Sequence, residues 1–266
     1  MIQLAALDDA RVREYQATAR PEALRAAGLF VAEGRLVVQR LLESHRFVIR
    51  SVLVTHAALD SLRALLDAHA PSVPVYVIGQ DQMNAVVGFD IHRGCLALAE
   101  RPLTLVFDAL SLSSMCRIVV LEGVSNPDNV GGVFRNAAAF DVDLVVLGPN
   151  CGDPLYRKAI RTSMASSLLV PFAAARQWPG AIGQLAAAGF QTVALTPSPD
   201  AVSLRHVSLG PRTALLLGSE AEGLSREALA AASVRTRIAM GGRIDSLNVA
   251  TAAAVALYQL ASASDR

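Results

Sequence analysis

Five polar side chains in three well-separated segments are the candidates for chemistry. Asn129 and Arg135 lie in GVSNPDNVGGVFRNAAAF, Glu220 in LLLGSEAEGLS, and Ser246 and Asn248 in IAMGGRIDSLNVATAAAVALYQL. In the first segment Gly131 and Gly132 permit close backbone approach by a ligand, and Arg135 projects from the second turn of the helix that follows. In the second, an apolar run delivers Ser219 and Glu220 into a turn closed by Gly223, where a carboxylate can orient a cation or a polar substrate group. In the third, Gly241 and Gly242 lead out of a strand into a helix of small residues, which admits a neighbouring backbone or a flat ligand. Each segment also has a structural explanation. Asn129 can cap a helix with Arg135 as surface charge, Glu220 or Glu222 can favour a helix N-terminus electrostatically, and Ser246 can cap an alanine-rich helix beginning near Leu247. A phosphate loop is excluded, because Leu224-Ser225 stands where Lys-Ser/Thr is required, and no Gly-x-Gly-x-x-Gly follows a strand.

The elements that must hold these residues read as alternating strands and helices. Apolar runs at RIVVLE (117–122), VDLVVLG (142–148), QTVAL (191–195), TALLLG (213–218) and VRTRIAM (234–240) are separated by helical segments. Near-continuous apolar strands between helices predict a parallel sheet covered on both faces. In such sheets ligands sit beyond the carboxyl ends of the strands, which is where the candidate residues fall. Residues 30–100 alternate as well, with a helix over Glu33 to Glu43, a strand SVLV, a helix over Ala57 to His69, a strand VYVIG, a short helix near Gln80 to Val87 and a strand CLALAE. This predicts a small α/β layer domain. Arg101-Pro102-Leu103-Thr104 reads as a linker, since the residue before proline is pushed out of helical geometry, and divides the chain into 1–104 and 105–266.

Composition sets broad bounds. A chain of 266 residues with 53% hydrophobic content can bury a large core. The formal net charge of +1 gives no electrostatic announcement of nucleic acid, and of the 24 basic residues Lys158 alone is lysine. Cys95, Cys116 and Cys151 show no CxxC spacing, so neither a disulfide framework nor a zinc site is indicated, and all three are expected to be small buried hydrophobes. His45, His56, His69 and His92 have no ligand spacing, and no metal is expected. There is no apolar run of membrane-spanning length, and MIQLAALDDARVREYQ carries acids where a secretory signal would be apolar, so a cytoplasmic protein is expected. Arg11, Arg13, Arg20 and Arg25 form a candidate flexible basic arm ahead of the first domain.

Taken together, the order and spacing of NPDNVGGVFR, LLLGSEAEGLS and IAMGGRIDSLNVA resemble the SpoU (TrmH-like) family of RNA ribose 2′-O-methyltransferases, within the SPOUT superfamily, over roughly residues 117–262. FVAEGRLVVQRLLES and GCLALAERP resemble the family's small L30e-like substrate-binding domain. The resemblance implies methyl transfer from S-adenosylmethionine to a ribose 2′-hydroxyl of rRNA or tRNA, by a homodimer whose C-terminal α/β domain carries a trefoil knot. By motif position it implies cofactor contacts at Leu195, Thr196, Gly218, Ile238, Met240 and Leu247. It makes Arg135 the group acting on the hydroxyl, Asn129 and Glu220 the residues holding Arg135 and substrate in register, and Ser246 and Asn248 polar neighbours of the methyl donor. A guanidinium with a pKa above about 12 does not serve as a base in a protein, so Arg135 is better suited to stabilising a developing alkoxide or binding the adjacent phosphate.

DPLYRKAIRTSMASS resembles the family's segment after the second strand, where Arg157, Lys158 and Arg161 can meet RNA phosphates or form a solvated helix face. The chain departs from the family pattern at Asn126, where an acid is common, at Asp141, where glycine is common, and at Ala239, where proline is common. Two other functions fit the same fold. One is a catalytically silent RNA-binding or ribosome-assembly factor, which has no need of these five polar groups; the other is a knotted methyltransferase acting on a nucleobase.

Overall fold

Strand and helix alternate from Leu29 onward, and the computed structural model arranges them around two sheets. It describes residues 1–4, 9–88, 90–91, 94–102, 105–107 and 112–264. Leu103 and Thr104 of the expected linker, and His92, lie outside the described residues. The chain packs into two units, Met1–Leu103 with Leu155–Leu169, and Thr104–Pro154 with Val170–Arg266.

In the first unit, β1 (Ile2–Gln3), α1 (Arg13–Gln16) and α2 (Pro21–Ala26) precede β2 (Leu29–Glu33), α3 (Arg35–Ser44), β3 (Ile49–Thr55), α4 (His56–His69), β4 (Val75–Ile78), α5 (Gln80–Val87) and β5 (Cys95–Glu100). The sheet order is β1-β4-β3-β5-β2, with β5 antiparallel to both β2 and β3 and the remaining pairs parallel. β2 is missing from the sequence reading, which takes Glu33 as the start of a helix. An apolar run as short as LFVAE has no decisive period, and its pairing from Leu29↔Glu100 to Glu33↔Leu96 is what makes it a strand. α4 shows the usual logic of a surface helix: Thr55 Oγ1 accepts from Ala58 N at 3.3 Å, and Leu59, Leu62 and Leu66 face inward.

The N-terminal arginines do not form a free arm. They lie among helical turns whose Val12, Tyr15 and Leu24 enter the core, with Tyr15 fully buried and its hydroxyl 2.8 Å from Ser51 Oγ. Arg11 is paired with Asp9. α7 (Arg157–Thr162) and α8 (Ser166–Leu169) also belong to this unit, α7 against β2 and α8 against α3. Arg46 fastens α8 by donating to the Leu169 carbonyl at 2.7 Å.

The second unit contains β6 (Arg117–Leu121), α6 (Pro127–Ala139), β7 (Leu144–Leu147), β8 (Phe172–Ala174), α9 (Gly180–Ala187), β9 (Gln191–Leu195), β10 (Val202–Ser203), β11 (Thr213–Leu217), α10 (Arg226–Ala231), β12 (Val234–Arg237) and α11 (Val249–Ser264). Its strands are ordered β10-β12-β9-β11-β6-β7-β8, and every pair is parallel. The all-buried TALLL of β11 occupies the centre, as a run apolar on both faces requires. Among the cysteines Cys95 is buried and Cys151 half-buried, but Cys116 is exposed, which corrects the expectation of three buried thiols. Cys116 sits just before β6, outside the apolar run that would have covered it. No helix among the described residues is long and apolar enough to cross a membrane.

Candidate functional site

Because β12, β9 and β11 are neighbours in the sheet, the segments leaving their carboxyl ends meet, and between them lies a cavity of about 620 Å³. Leu195, Thr196, Gly218, Glu220, Ile238, Met240, Ser246, Leu247 and Asn248 all line it. The walls are mainly aliphatic, from Leu217, Leu224, Val249 and Ala252 among others, and the charged residues on the lining are Glu220, Glu222 and Asp245. Aliphatic walls with carboxylates at the rim fit a flat, partly apolar ligand that carries positive charge.

The turn after β11 is closed on itself. Gly223 N donates to Ser219 O at 3.0 Å, and Glu222 N to Ser219 Oγ at 3.1 Å. A Cβ on Gly218 would stand 2.1 Å from Gly223 C, so glycine is required there by the turn itself. The turn is anchored from below by Glu122, a carboxylate the sequence reading passes over. Glu122 is 8% exposed; its Oε1 accepts from Trp178 Nε1 at 2.6 Å and its Oε2 from Ser225 N at 2.8 Å. Ser225 in turn caps α10, accepting from Ala228 N at 3.2 Å. The available signal was an acid at the very end of an apolar strand, where burial demands partners.

α6 and α11 lie against each other, and their caps differ from those expected. Asn126 caps α6, accepting from Asp128 N at 2.9 Å, while Asn129 sits inside the first turn. Asn248 caps α11 in place of Ser246, its Oδ1 accepting from Ala250 N at 2.9 Å and Thr251 N at 3.3 Å. Asn248 Nδ2 then donates to Asn129 Oδ1 at 2.8 Å, which joins the first and third segments. Asn136 Nδ2 donates to the Ala250 carbonyl at 2.7 Å, and a Cβ on Gly132 would come 2.7 Å from that of Ala250, so the two helices approach at glycine.

Arg135 is apart from this ring. It is exposed on α6, does not line the cavity, and its guanidinium makes no hydrogen bond or ion pair with other described residues. Arg157, Lys158 and Arg161 lie on α7 of the first unit. There Arg157 is paired with Glu33 at 3.3 Å, and Arg161 is exposed.

The model of the SpoU rRNA Methylase family matches residues 117–258, a span that holds all three segments. The chain belongs to this family. Among its SpoU relatives is an uncharacterized tRNA/rRNA methyltransferase of Mycobacterium bovis, 42% identical over 260 residues that cover 95% of this chain and 88% of that protein. The 23S rRNA (guanosine(2553)-2′-O)-methyltransferase RlmP of Bacillus subtilis is 24% identical over 260 residues, 98% of this chain and 99% of that one. The AdoMet-bound rRNA methyltransferase of Sinorhizobium meliloti has the same fold, with a TM-score of 0.81 at 23% identity over 97% of each chain. Within the SpoU domain the cavity is thus walled by the second and third segments, and the first reaches it through the Asn129–Asn248 hydrogen bond.

Proposed function

We propose that this SpoU protein is a cytoplasmic, homodimeric enzyme that transfers methyl from S-adenosylmethionine to a ribose 2′-hydroxyl of structured RNA, rRNA or tRNA. The observation that carries the reading is the cavity at the carboxyl ends of β9, β11 and β12, on which Glu220, Ser246 and Asn248 converge with Leu195, Thr196, Gly218, Ile238, Met240 and Leu247. Its aliphatic walls and carboxylate rim fit a purine nucleoside bearing a sulfonium and an amino group. The AdoMet in the Sinorhizobium meliloti fold and the 2′-O activity in the name of RlmP support the same assignment.

Bound there, S-adenosylmethionine would supply an electrophilic methyl group. The chain's own part is positioning and charge. The Arg135 guanidinium, exposed and uncommitted to other described groups, would stabilise negative charge developing on the ribose 2′-oxygen as its proton passes to water, or grip the adjacent phosphate. Asn129, held by Asn248 through its Oδ1, keeps its own amide NH₂ available to an oxygen of the substrate. Glu220 orients the substrate at the rim.

The SpoU domain carries the family's trefoil knot, and residues 1–104 comprise an N-terminal extension and the L30e-like domain that recruits RNA, for which the mixed five-stranded sheet is the framework. The half-exposed Val255 (41%) and the exposed Tyr258 (64%) give α11 an apolar outer face suited to the dimer contact.

The test is transfer of radiolabelled methyl from S-adenosylmethionine to total RNA from cells lacking the enzyme, followed by nucleoside analysis. A 2′-O-methylnucleoside is the expected product. A base-methylated nucleoside would move the activity to a nucleobase, and cofactor binding without transfer to any RNA would favour a silent RNA-binding factor.

A further inference from the structure

The backbone of Ala250, in the first turn of α11, is held at both its N–H and its carbonyl. Its N–H donates to Asn248 Oδ1 at 2.9 Å, and its carbonyl accepts from Asn136 Nδ2 at 2.7 Å. Its methyl occupies the space that a side chain on Gly132 would need. Asn248 completes the ring by donating to Asn129 Oδ1 at 2.8 Å.

The amide orientations in this ring are forced. A carbonyl can only accept, so Asn136 must turn its NH₂ to Ala250. The N–H groups of Ala250 and Thr251 can only donate, so Asn248 must turn its oxygen to them and its NH₂ to Asn129. Asn129, Gly132 and Asn136 recur at the spacing of one helical face, whereas Arg135, next to Asn136 in sequence, leaves α6 toward solvent.

We infer that Asn136 is a positioning residue for methyl transfer: its hydrogen bond to the Ala250 carbonyl fixes the turn of α6 that carries Arg135 against the turn of α11 that walls the cavity. The inference rests on the reading of Arg135 as the group that faces the reacting hydroxyl. Asn248 lines the cavity and Asn136 does not, so Asn136 acts on the register between the helices and not on the ligand. Loss of its bond leaves the Asn248 cap and the Asn129 contact in place, and with them the cavity wall.

Asn136→Asp tests this, because the shape is kept while an acceptor now faces an acceptor. Asn136→Ala removes the group without adding charge and serves where the first variant folds poorly. Three quantities are read on the full chain: single-turnover methyl transfer from S-adenosylmethionine to total RNA from cells lacking the enzyme, calorimetric affinity for S-adenosylmethionine, and amide hydrogen exchange at Ala253 and Ala254. The transfer rate should fall on the order of 10- to 100-fold, as expected for a small displacement of a positioned group. Cofactor affinity should stay near wild type, and exchange at Ala253 and Ala254, whose N–H groups close the first turn of α11, should quicken.

Equal losses in rate and cofactor affinity would overturn the inference, since they would mark Asn136 as part of the cavity's support. So would a wild-type rate accompanied by faster exchange, or a reduced rate without it. Wild-type protein that transfers no methyl would refute the functional reading and take this role with it. Wild-type transfer matched by both variants would refute the role of Asn136 alone.

Discussion

Arg135 owes its value to what it lacks. Burial would have forced it into a structural ion pair, but it stands exposed on α6 with its five donors uncommitted to other described groups, a state suited to an incoming phosphate or alkoxide. Arg135→Ala should therefore lower the transfer rate about 100- to 1,000-fold, the usual cost of losing one electrostatic stabiliser. It should leave S-adenosylmethionine affinity intact by calorimetry, because Arg135 does not line the cavity. Equal losses of both would make the residue a cofactor or folding group. Gly218 is the opposite case. It borders the cavity, so a larger side chain there would seem a simple block to the ligand, but an added Cβ would strike Gly223 at 2.1 Å before reaching any ligand. Gly218→Ala should displace the turn and destabilise the domain by more than about 2 kcal/mol, in the range of overpacked sites. A thermal melt matching wild type would show that the turn has slack the geometry denies.

At the scale of elements, the cavity depends on a buried carboxylate that supports it without lining it. Glu122 links the end of β6 to Trp178 on one side and to the cap of α10 on the other, and each oxygen accepts one N–H. Glu122→Gln turns an NH₂ toward one of those two donors, leaving a buried N–H unpaired at a cost of about 1–3 kcal/mol. Urea unfolding should show the loss, and the emission of Trp178, the single tryptophan of the chain, should shift as its indole N–H loses its partner. Unchanged stability and emission would mean that the carboxylate's partners are replaceable by water.

Glu122 also marks where sequence reasoning ends. The parallel strands were legible because apolar runs covered on both faces have no other stable home, and the site followed from their carboxyl ends. The helix caps were misplaced by a few residues. Asn126 and Asn129 both have capping chemistry, and the deciding signal was Pro127, which belongs at the first helical position and so puts the cap at Asn126. At the other helix Ser246 and Asn248 competed, and backbone geometry alone chose Asn248. The Asn129–Asn248 bond was not legible, since no local pattern reports which residues of two helices distant in sequence will meet where the helices pack.

The whole molecule sets a trap for the obvious dissection. Cutting the chain at a sequential boundary near 104 would separate the two halves, but residues 155–169 pack with the N-terminal unit. Removing 1–104 therefore bares Leu155, Ile160 and Leu168, which are 3%, 1% and 0% exposed in the intact chain. Each such side chain gives up about 1.5–3 kcal/mol of burial, enough for the fragment to aggregate in size-exclusion chromatography. A monodisperse fragment with a cooperative melt would show that these residues find another partner. The RNA-recruiting role is better tested in the full chain, at Lys158 and Arg161. If both meet phosphates, replacing them together by alanine should lower the slope of log affinity against log salt by about 1 to 2, without changing which RNA is preferred. An unchanged slope would make them the solvated face of α7, and RNA recruitment would then have to be sought on another surface of the first unit.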